Sequence, residues 1–281
     1  MSEKQSGAAG FRPVAVEGLE TAVVAATDIV FGRGGDKQLT LDLFRPAAIG
    51  DELLPVVIFI HGGGWGGGDK ESYHDLATRA ASHGYLCASV SYRLSGEAPF
   101  PAALEDCKCA VRWLRAHAVE QQADADHFAV WGHSAGGHLA AMVALTPGQF
   151  EGEGGWPDVS GAVQCALCYS APFDLTDKTL GLVGIINQLI GRAEDPDQAR
   201  RQASPTSYVA GGTTPFLLFH GVEDELPISQ SDRFAEALHR AGVPVELVRV
   251  PHAGHDLERY SPDIFARAVQ FLDEHLKRHQ G

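Results

Sequence analysis

Short apolar runs alternate with segments of helical periodicity along most of the chain. A continuous apolar run such as residues 55–60 is typical of a strand that is buried on both faces of a sheet. Residues 100–117 instead carry apolar side chains at intervals of three and four, which predicts an amphipathic helix. The predicted strands cover residues 23–31, 39–44, 55–60, 85–90, 128–130, 162–169, 215–220 and 244–250, and the predicted helices cover 73–83, 100–117, 139–145 and 264–276.

This order of elements predicts an α/β fold with a mainly parallel central sheet and helices on both faces, because parallel neighbours need crossover connections. Residues 1–26 are predicted to be an N-terminal arm, since their first part has no clear period, and residues 27–281 are predicted to form one domain. The alternation lapses at residues 174–214. We expect a small cap there, with an ordinary long connection as the alternative.

Composition narrows the class of protein. The formal net charge of −14 at pH 7 disfavours nucleic acid and anionic membranes as partners, because phosphates would be repelled. No apolar run is long enough for a membrane helix, and the N-terminus lacks the basic and apolar parts of a secretory signal, so we expect a cytoplasmic protein. Five cysteines, most of them in apolar patterns, are expected to be free buried thiols.

A candidate nucleophile lies in the stretch Gly132-His133-Ser134-Ala135-Gly136, between a short apolar run and an Ala/Leu-rich helix. Strand, Gly-x-Ser-x-Gly and helix is the context in which a serine is held on a strained turn with its hydroxyl exposed. The alternative is a glycine-rich turn in which Ser134 only caps the following helix.

A nucleophilic serine needs an acid and a histidine base, which follow it in the order Ser, Asp or Glu, His in such scaffolds. Asp224 is the preferred acid, because it follows the predicted strand at 215–220, and Asp174 is its rival. Glu223 and Glu225 are expected to be solvated neighbours.

The loop after the last predicted strand supplies the base. It contains His252 and His255. We prefer His255 over His252, because Gly254 would let the backbone bring His255 close to the serine.

Glycines after the strand at 55–60 supply candidate oxyanion donors. Gly63 and Gly64 can present backbone N–H groups without obstruction, and the N–H of Ala135 completes the predicted set. The alternatives are a flexible surface loop and a phosphate-binding loop, but the pattern Gly-x-x-x-x-Gly-Lys-Ser/Thr is absent.

Five segments together resemble one known family. They are His61-Gly-Gly-Gly-Trp65, Ser91-Tyr-Arg-Leu94, Phe100-Pro-Ala-Ala-Leu-Glu-Asp106, Gly132-His-Ser-Ala-Gly-Gly-His-Leu-Ala140 and His220-Gly-Val-Glu-Asp224. In this order they resemble the α/β-hydrolase family of the hormone-sensitive-lipase and BD-FAE esterase type, from about residue 27 to the C-terminus. The resemblance implies an α/β-hydrolase fold and hydrolysis of carboxylic esters without a metal or organic cofactor. It also implies Ser134, Asp224 and His255 as the triad and Gly63, Gly64 and Ala135 as the oxyanion donors.

The chain departs from the family pattern at two positions. His252 stands where these enzymes often have a small residue, which leaves the identity of the base partly open, and Pro227 comes one residue early after the acid. Arg93 and Asp106 are predicted to be structural, because Asp106 lies in a predicted helix and Arg93 could pair with a carboxylate.

Small esters with short or aromatic acyl groups are the expected substrates, rather than intact polysaccharide. An arylformamidase or amidase that acts on an N-formylkynurenine-like compound is the alternative, and a non-catalytic ligand-binding protein is a third hypothesis. A homodimer would follow if the apolar residues of the final helix were exposed.

Overall fold

The computed structural model describes residues 10–212, 214–257 and 261–277. A nine-stranded sheet runs through it in the order β1-β2-β3-β5-β4-β6-β7-β8-β9. The strands are β1 (Arg12–Val14), β2 (Val23–Gly34), β3 (Lys37–Pro46), β4 (Leu54–Ile60), β5 (Leu86–Val90), β6 (Ala123–His133), β7 (Cys165–Tyr169), β8 (Phe216–Gly221) and β9 (Val245–Val250).

The sheet is parallel from β5 to β9 and antiparallel at the edge that β1, β2 and β3 form. The predicted α/β-hydrolase fold with a mainly parallel sheet is therefore confirmed. Its parallel part brings the carboxyl ends of β4, β6, β8 and β9 to one edge of the sheet. In open α/β sheets this is the edge where ligands bind.

Helices cover both faces. They are α1 (His74–Ser82), α2 (Ala102–Ala116), α3 (Ala118–Gln121), α4 (Ala135–Leu145), α5 (Val183–Ile190), α6 (Pro196–Gln202), α7 (Ser229–Arg240) and α8 (Pro262–Leu276). Apolar side chains of α1 and α8 form one core on the first face of the sheet, and those of α2, α4 and α7 form the second core on the other.

The strand β4 shows why its sequence is apolar throughout. Val57 and Phe59 pack into the first core, whereas Val56 and Ile58 pack into the second. All seven residues of β4 are buried, as a strand covered on both faces requires.

The predicted free buried thiols are confirmed, because all five cysteines are buried and unpaired. Cys165 and Cys168 lie three residues apart in β7 and belong to opposite cores. Their side chains thus point to opposite faces, as the period of a strand dictates.

Three features differ from the sequence predictions. Part of the predicted N-terminal arm belongs to the sheet, since β1 pairs with β2 and the predicted boundary at residues 26 and 27 falls inside β2. Residues 1–9 of the arm lie outside the described residues. The helix α7 was not predicted, because only Phe234 and Leu238 form its apolar stripe among many polar residues.

The third difference concerns the final helix. The apolar residues of α8 pack against the sheet within the chain and are buried, so they cannot form a dimer surface. The argument for a homodimer from this helix is therefore wrong.

The predicted cap segment, residues 174–214, contains α5, α6 and two short 3-10 turns, Lys178–Leu180 and Pro205–Tyr208. It is held to the sheet domain by backbone hydrogen bonds from Phe100 N to Leu189 O (2.7 Å) and from Thr206 N to Phe173 O (3.1 Å).

Candidate active site

Ser134 lies on a strained turn between β6 and α4. Its backbone has φ 56° and ψ −124°, a conformation that residues with a Cβ rarely adopt and that costs about 1–3 kcal/mol. The turn is fixed by hydrogen bonds from Ser134 N to Tyr169 O (2.8 Å) and from His138 N to Ser134 O (3.0 Å). The Ser134 side chain makes no capping bond to α4, which disfavours the capping alternative.

The flanking glycines are required by close backbone contacts. A Cβ on Gly132 would lie 2.2 Å from the carbonyl oxygen of Gly136. A Cβ on Gly136 would lie 2.0 Å from the carbonyl oxygen of Ile60 in the adjacent strand β4. The chain can therefore turn this sharply only because neither position carries a side chain.

The structure brings Ser134, His255 and Asp224 into one hydrogen-bonded series. The Ser134 Oγ lies 2.9 Å from Nε2 of His255, and Nδ1 of His255 lies 3.0 Å from Oδ1 and 3.1 Å from Oδ2 of Asp224. Each residue follows the carboxyl end of a different parallel strand, β6, β9 and β8 respectively. This geometry fits a nucleophile, a base and an orienting acid.

The charges of the pair are mutually stabilised. The hydrogen bond that His255 donates to Asp224 raises the pKa of His255 above its usual value, against the effect of partial burial. Burial alone would raise the pKa of Asp224, but hydrogen bonds from His255 and from the backbone N–H of Leu226 outweigh it and lower that pKa. Asp224 is therefore ionised where His255 titrates.

The alternative candidates for the acid and the base, Asp174 and His252, bond other residues. The Oδ1 of Asp174 accepts hydrogen bonds from the N–H (3.0 Å) and hydroxyl (2.6 Å) of Thr176. The side chain of His252 is 90% exposed and pairs with Glu223 at 3.0 Å. Glu225 is exposed as predicted, but it also lines the cavity in front of Ser134.

The glycine loop after β4 lies beside Ser134. Gly63 and Gly64 have φ of 106° and 58°, which favours glycine at both positions. Within the described residues, the N–H groups of Gly63, Gly64 and Ala135 donate to no acceptor. Gly64 and Ala135 also line the cavity that contains Ser134, whereas Gly63 is not among its lining residues.

Two aromatic residues hold this loop, and sequence reasoning gave neither a role. The Tyr92 hydroxyl donates to His61 O (2.8 Å), and the two rings stack with centroids 4.2 Å apart. Burial lowers the pKa of His61, whose Nδ1 donates to Gly62 O.

A buried histidine joins three segments of the site. His138, in α4, accepts a hydrogen bond at Nδ1 from Trp65 Nε1 (3.1 Å) and donates from Nε2 to Ala203 O (2.6 Å). It thereby connects the glycine loop, the helix after Ser134 and the cap. The sequence contains His138 within the Ser134 motif, but its two partners are remote and give no local signal.

Two further histidines contact His255 and Asp224. His133 Nε2 donates to the backbone carbonyl of His255 (2.8 Å), and His220 lies behind Asp224, with Nε2 3.5 Å from Oδ2. His220 is fully buried and bonds Ser231 Oγ (2.7 Å) and Leu226 O (2.8 Å). Burial lowers the pKa of His220, which favours its neutral form beside the acid.

Buried carboxylates pair with basic residues in two segments near the site, one after the glycine loop and one after β5. Lys70 follows the glycine loop and bonds the fully buried Asp42 of β3 at 2.8 Å, so it is not available as a phosphate-loop lysine. His74 bonds the same carboxylate at 2.7 Å. Arg93 pairs with Asp106 at 2.7 Å, in agreement with the structural role predicted for both residues.

A cavity of about 410 Å³ opens onto the Ser134 hydroxyl. Its polar lining includes Ser134, His255 and Glu225. Its apolar lining comes from the glycine loop, the start of α4, the loop after β7, the cap segment and the loop after β8, namely Trp65, Ala135, Pro172, Leu180, Leu182, Ile185 and Leu226. Three residues of the cap segment, Leu180, Leu182 and Ile185, thus form part of the cavity wall in front of Ser134.

Two features are absent from the residues that the structure describes. None of the helices combines the length and apolar character that a membrane crossing needs. In the same residues, no group of three or more His, Cys, Asp or Glu side chains is placed to hold a metal ion.

The fold and this arrangement define an α/β hydrolase. The BD-FAE family model matches residues 41–238, so the chain belongs to the BD-FAE family and the resemblance seen in the sequence is confirmed.

Named relatives come from Mycobacterium tuberculosis. Esterase LipQ is 32% identical over 238 residues, which cover 82% of this chain and 56% of LipQ. Esterase LipC is 28% identical over 262 residues, which cover 88% of this chain and 65% of LipC. The chain thus spans between about half and two thirds of the length of these relatives.

Solved structures share the fold. An esterase of Thermogutta terrifontis with propionate bound has a TM-score of 0.77 and 26% identity, with coverage of 89% of this chain and 94% of that one. The same enzyme has also been solved phosphorylated by paraoxon, with a TM-score of 0.75 and coverage of 89% and 94%. A truncated carbohydrate esterase from gut microbiota has a TM-score of 0.81 at 22% identity, with coverage of 95% and 100%, and shows the fold alone.

Proposed function

We propose that this protein is a serine carboxylesterase that hydrolyses small esters through an acyl-enzyme on Ser134. The observation that carries the proposal is the hydrogen-bonded series from Ser134 Oγ through His255 to Asp224, with distances of 2.9 and 3.0 Å. The esterase names of the relatives support it.

The residues would act in sequence. His255 Nε2 takes the proton of the Ser134 hydroxyl as Oγ attacks the ester carbonyl, and Asp224 holds the imidazole and stabilises its charge. The same proton then passes to the leaving alcohol oxygen, and water activated by His255 releases the acid from the acyl-enzyme.

The N–H groups of Gly63, Gly64 and Ala135 are proposed to bind the negative oxygen of the tetrahedral intermediate. Their orientation is fixed before reaction by the positive φ of both glycines and by the start of α4. Removing one such donor typically lowers the rate by about a hundred- to a thousandfold.

The proposed substrates carry short or aromatic acyl groups. The cavity of about 410 Å³ and its apolar walls suit a small acyl chain rather than a polymer. The structures of the T. terrifontis esterase described with propionate and butyrate bound support the short-acyl assignment.

The test is hydrolysis of p-nitrophenyl acetate by wild type, Ser134→Ala, Asp224→Asn and Asp174→Asn. We expect losses on the order of 10⁴-fold or more in the first two variants, since triad members act as a unit. Asp174→Asn is the matched control and should keep nearly full activity. Full turnover by Ser134→Ala would refute the proposal.

The same protein tests the two alternatives. Turnover of an aryl formamide well above that of an aryl ester would favour an amidase. Absence of labelling by a fluorophosphonate probe would favour a non-catalytic ligand-binding protein. The cytoplasmic location stays a prediction from the sequence.

A further inference from the structure

One carboxylate faces the proposed substrate cavity without a role in the reaction. Among the residues that line this cavity, Glu225 and His255 alone have ionisable side chains, and no Lys or Arg is present in the described lining. The remaining walls are mainly apolar and include Leu180, Leu182 and Leu226. An apolar cavity with a single carboxylate suits an organic cation.

Glu225 differs from its two acidic neighbours in its contacts. Glu223 pairs with His252, and Asp224 pairs with His255. Within the described part of the chain, by contrast, Glu225 has no ion pair or side-chain hydrogen bond. A ligand cation would therefore not have to displace a described partner.

The position of Glu225 also indicates which part of an ester its carboxylate would contact. It directly follows the proposed triad acid, Asp224, and its charge helps to raise the pKa of His255. His255 is the group that would hand a proton to the leaving alcohol oxygen. Because Glu225 and His255 line the same cavity and Glu225 is next to the residue that bonds His255, its carboxylate would meet the part of the ester that leaves from His255.

We propose that Glu225 binds a positively charged group on the alcohol part of the substrate, so that the enzyme prefers esters of amino or quaternary-ammonium alcohols over neutral esters of equal shape. This inference rests on the proposed esterase function. Because Glu225 is exposed, the preference should be modest, roughly two- to fivefold, as for other exposed ion pairs. It should also weaken at high ionic strength.

The experiment compares acetylcholine with 3,3-dimethylbutyl acetate, which replaces the charged nitrogen with carbon at the same shape. Both esters are offered in competition to wild type, Glu225→Gln, Glu225→Lys and the control Glu223→Gln, at a pH above the acid limb of each variant. The readout is the ratio of the two kcat/KM values. Intrinsic differences in ester reactivity cancel when this ratio is compared between enzymes.

We expect the ratio to fall roughly two- to fivefold in Glu225→Gln. It should fall further in Glu225→Lys and stay at the wild-type value in Glu223→Gln, whose acid does not line the cavity. A second pair, methyl betainate and methyl 3,3-dimethylbutanoate, places the same charge on the acyl side and should respond less.

The same ratio in wild type, Glu225→Gln and Glu225→Lys would overturn the proposal while leaving the esterase function intact. A ratio that changes only for the acyl-side pair would overturn the assignment to the alcohol. If neither neutral ester is hydrolysed faster by wild type than by Ser134→Ala, the esterase function itself fails, and this inference fails with it.

Discussion

Replacing His138 with leucine should remove the connection between the glycine loop and the cap. His138 is fully buried, and burial lowers its pKa to about 4, so the ring is neutral at ordinary pH. Its Nδ1 accepts from Trp65 Nε1 and its Nε2 donates to Ala203 O. Leucine has a similar volume but makes neither hydrogen bond.

The expected cost follows from the two groups left behind. Trp65 is 1% exposed and Ala203 is 0% exposed, so water cannot replace either partner. An unsatisfied buried donor or acceptor costs about 1–3 kcal/mol, which gives about 2–6 kcal/mol for His138→Leu. Trp65→Phe leaves only the Nδ1 acceptor of His138 unpaired and should cost about 1–3 kcal/mol plus the lost ring volume.

A double-mutant cycle separates this hydrogen bond from general damage to the core. In the His138→Leu background, Trp65→Phe removes a donor that is already unpaired. The double mutant contains neither the unpaired indole N–H nor the unpaired Nδ1 that the single mutants leave, so it should be more stable than the sum of the single effects by about 2–6 kcal/mol. The free energies come from urea unfolding followed by circular dichroism.

Additive losses within about 0.5 kcal/mol would refute the reasoning, because they would mean that Trp65 and His138 do not share an interaction. A loss below about 1 kcal/mol for His138→Leu alone would contradict the estimate for two unpaired buried groups.

Three further predictions concern the base, the turn and the edge of the sheet. The pKa of His255 is raised, and the proposed base must be neutral to act, so the acid limb of kcat/KM should have its midpoint above pH 6.5. Asp224→Asn should move this midpoint down, and a wild-type midpoint below pH 6.5 would contradict the prediction. Gly136→Ala should abolish soluble expression, whereas Gly184→Ala in α5, whose added Cβ meets nothing within 4 Å, should raise stability by up to about 1 kcal/mol in thermal unfolding. Asp42→Asn should lower the free energy of unfolding by about 3–5 kcal/mol at pH 7 and by less near pH 3. The hydrogen bonds of this buried carboxyl lower its pKa, so its ionised form stabilises the protein above the unfolded pKa of 3.8, and this contribution is lost as the pH falls. Equal losses at both pH values in urea unfolding would contradict this.

The sequence was sufficient for most of the parallel sheet, because strands such as β4 must be apolar on both faces and therefore give strong signals. It was not sufficient for β1, which has three residues and is stabilised by pairing with β2 rather than by its own pattern. The same holds for α7. Its apolar stripe consists of Phe234 and Leu238, and these side chains are buried only because they pack into the core against the sheet.

The candidate site shows a similar division. Ser134, Asp224 and His255 could be chosen from sequence because each follows a recognisable strand, and parallel strands deliver their carboxyl ends to one edge. The residues that hold these three in place, such as Tyr92 and His138, bond backbone or ring atoms from remote segments. Nothing in the local sequence specifies such a partner, so these contacts required the three-dimensional structure.

The loop after β8, which contains Glu223, Asp224 and Glu225, places neighbouring acidic residues in different environments. The sequence alone predicts that Glu223 and Glu225 are both solvated neighbours of Asp224, and both are exposed. Yet the turn after β8 buries the carboxylate of Asp224 completely and places Glu225 on the cavity wall, while Glu223 reaches His252 outside. A carboxylate at that wall affects any charged substrate that approaches Ser134, and it does so with the sign opposite to that of a lysine at the same position. Under the proposed esterase function, electrostatic preference among esters would therefore depend on Glu225, the residue after the proposed acid, a position that catalytic motifs do not include.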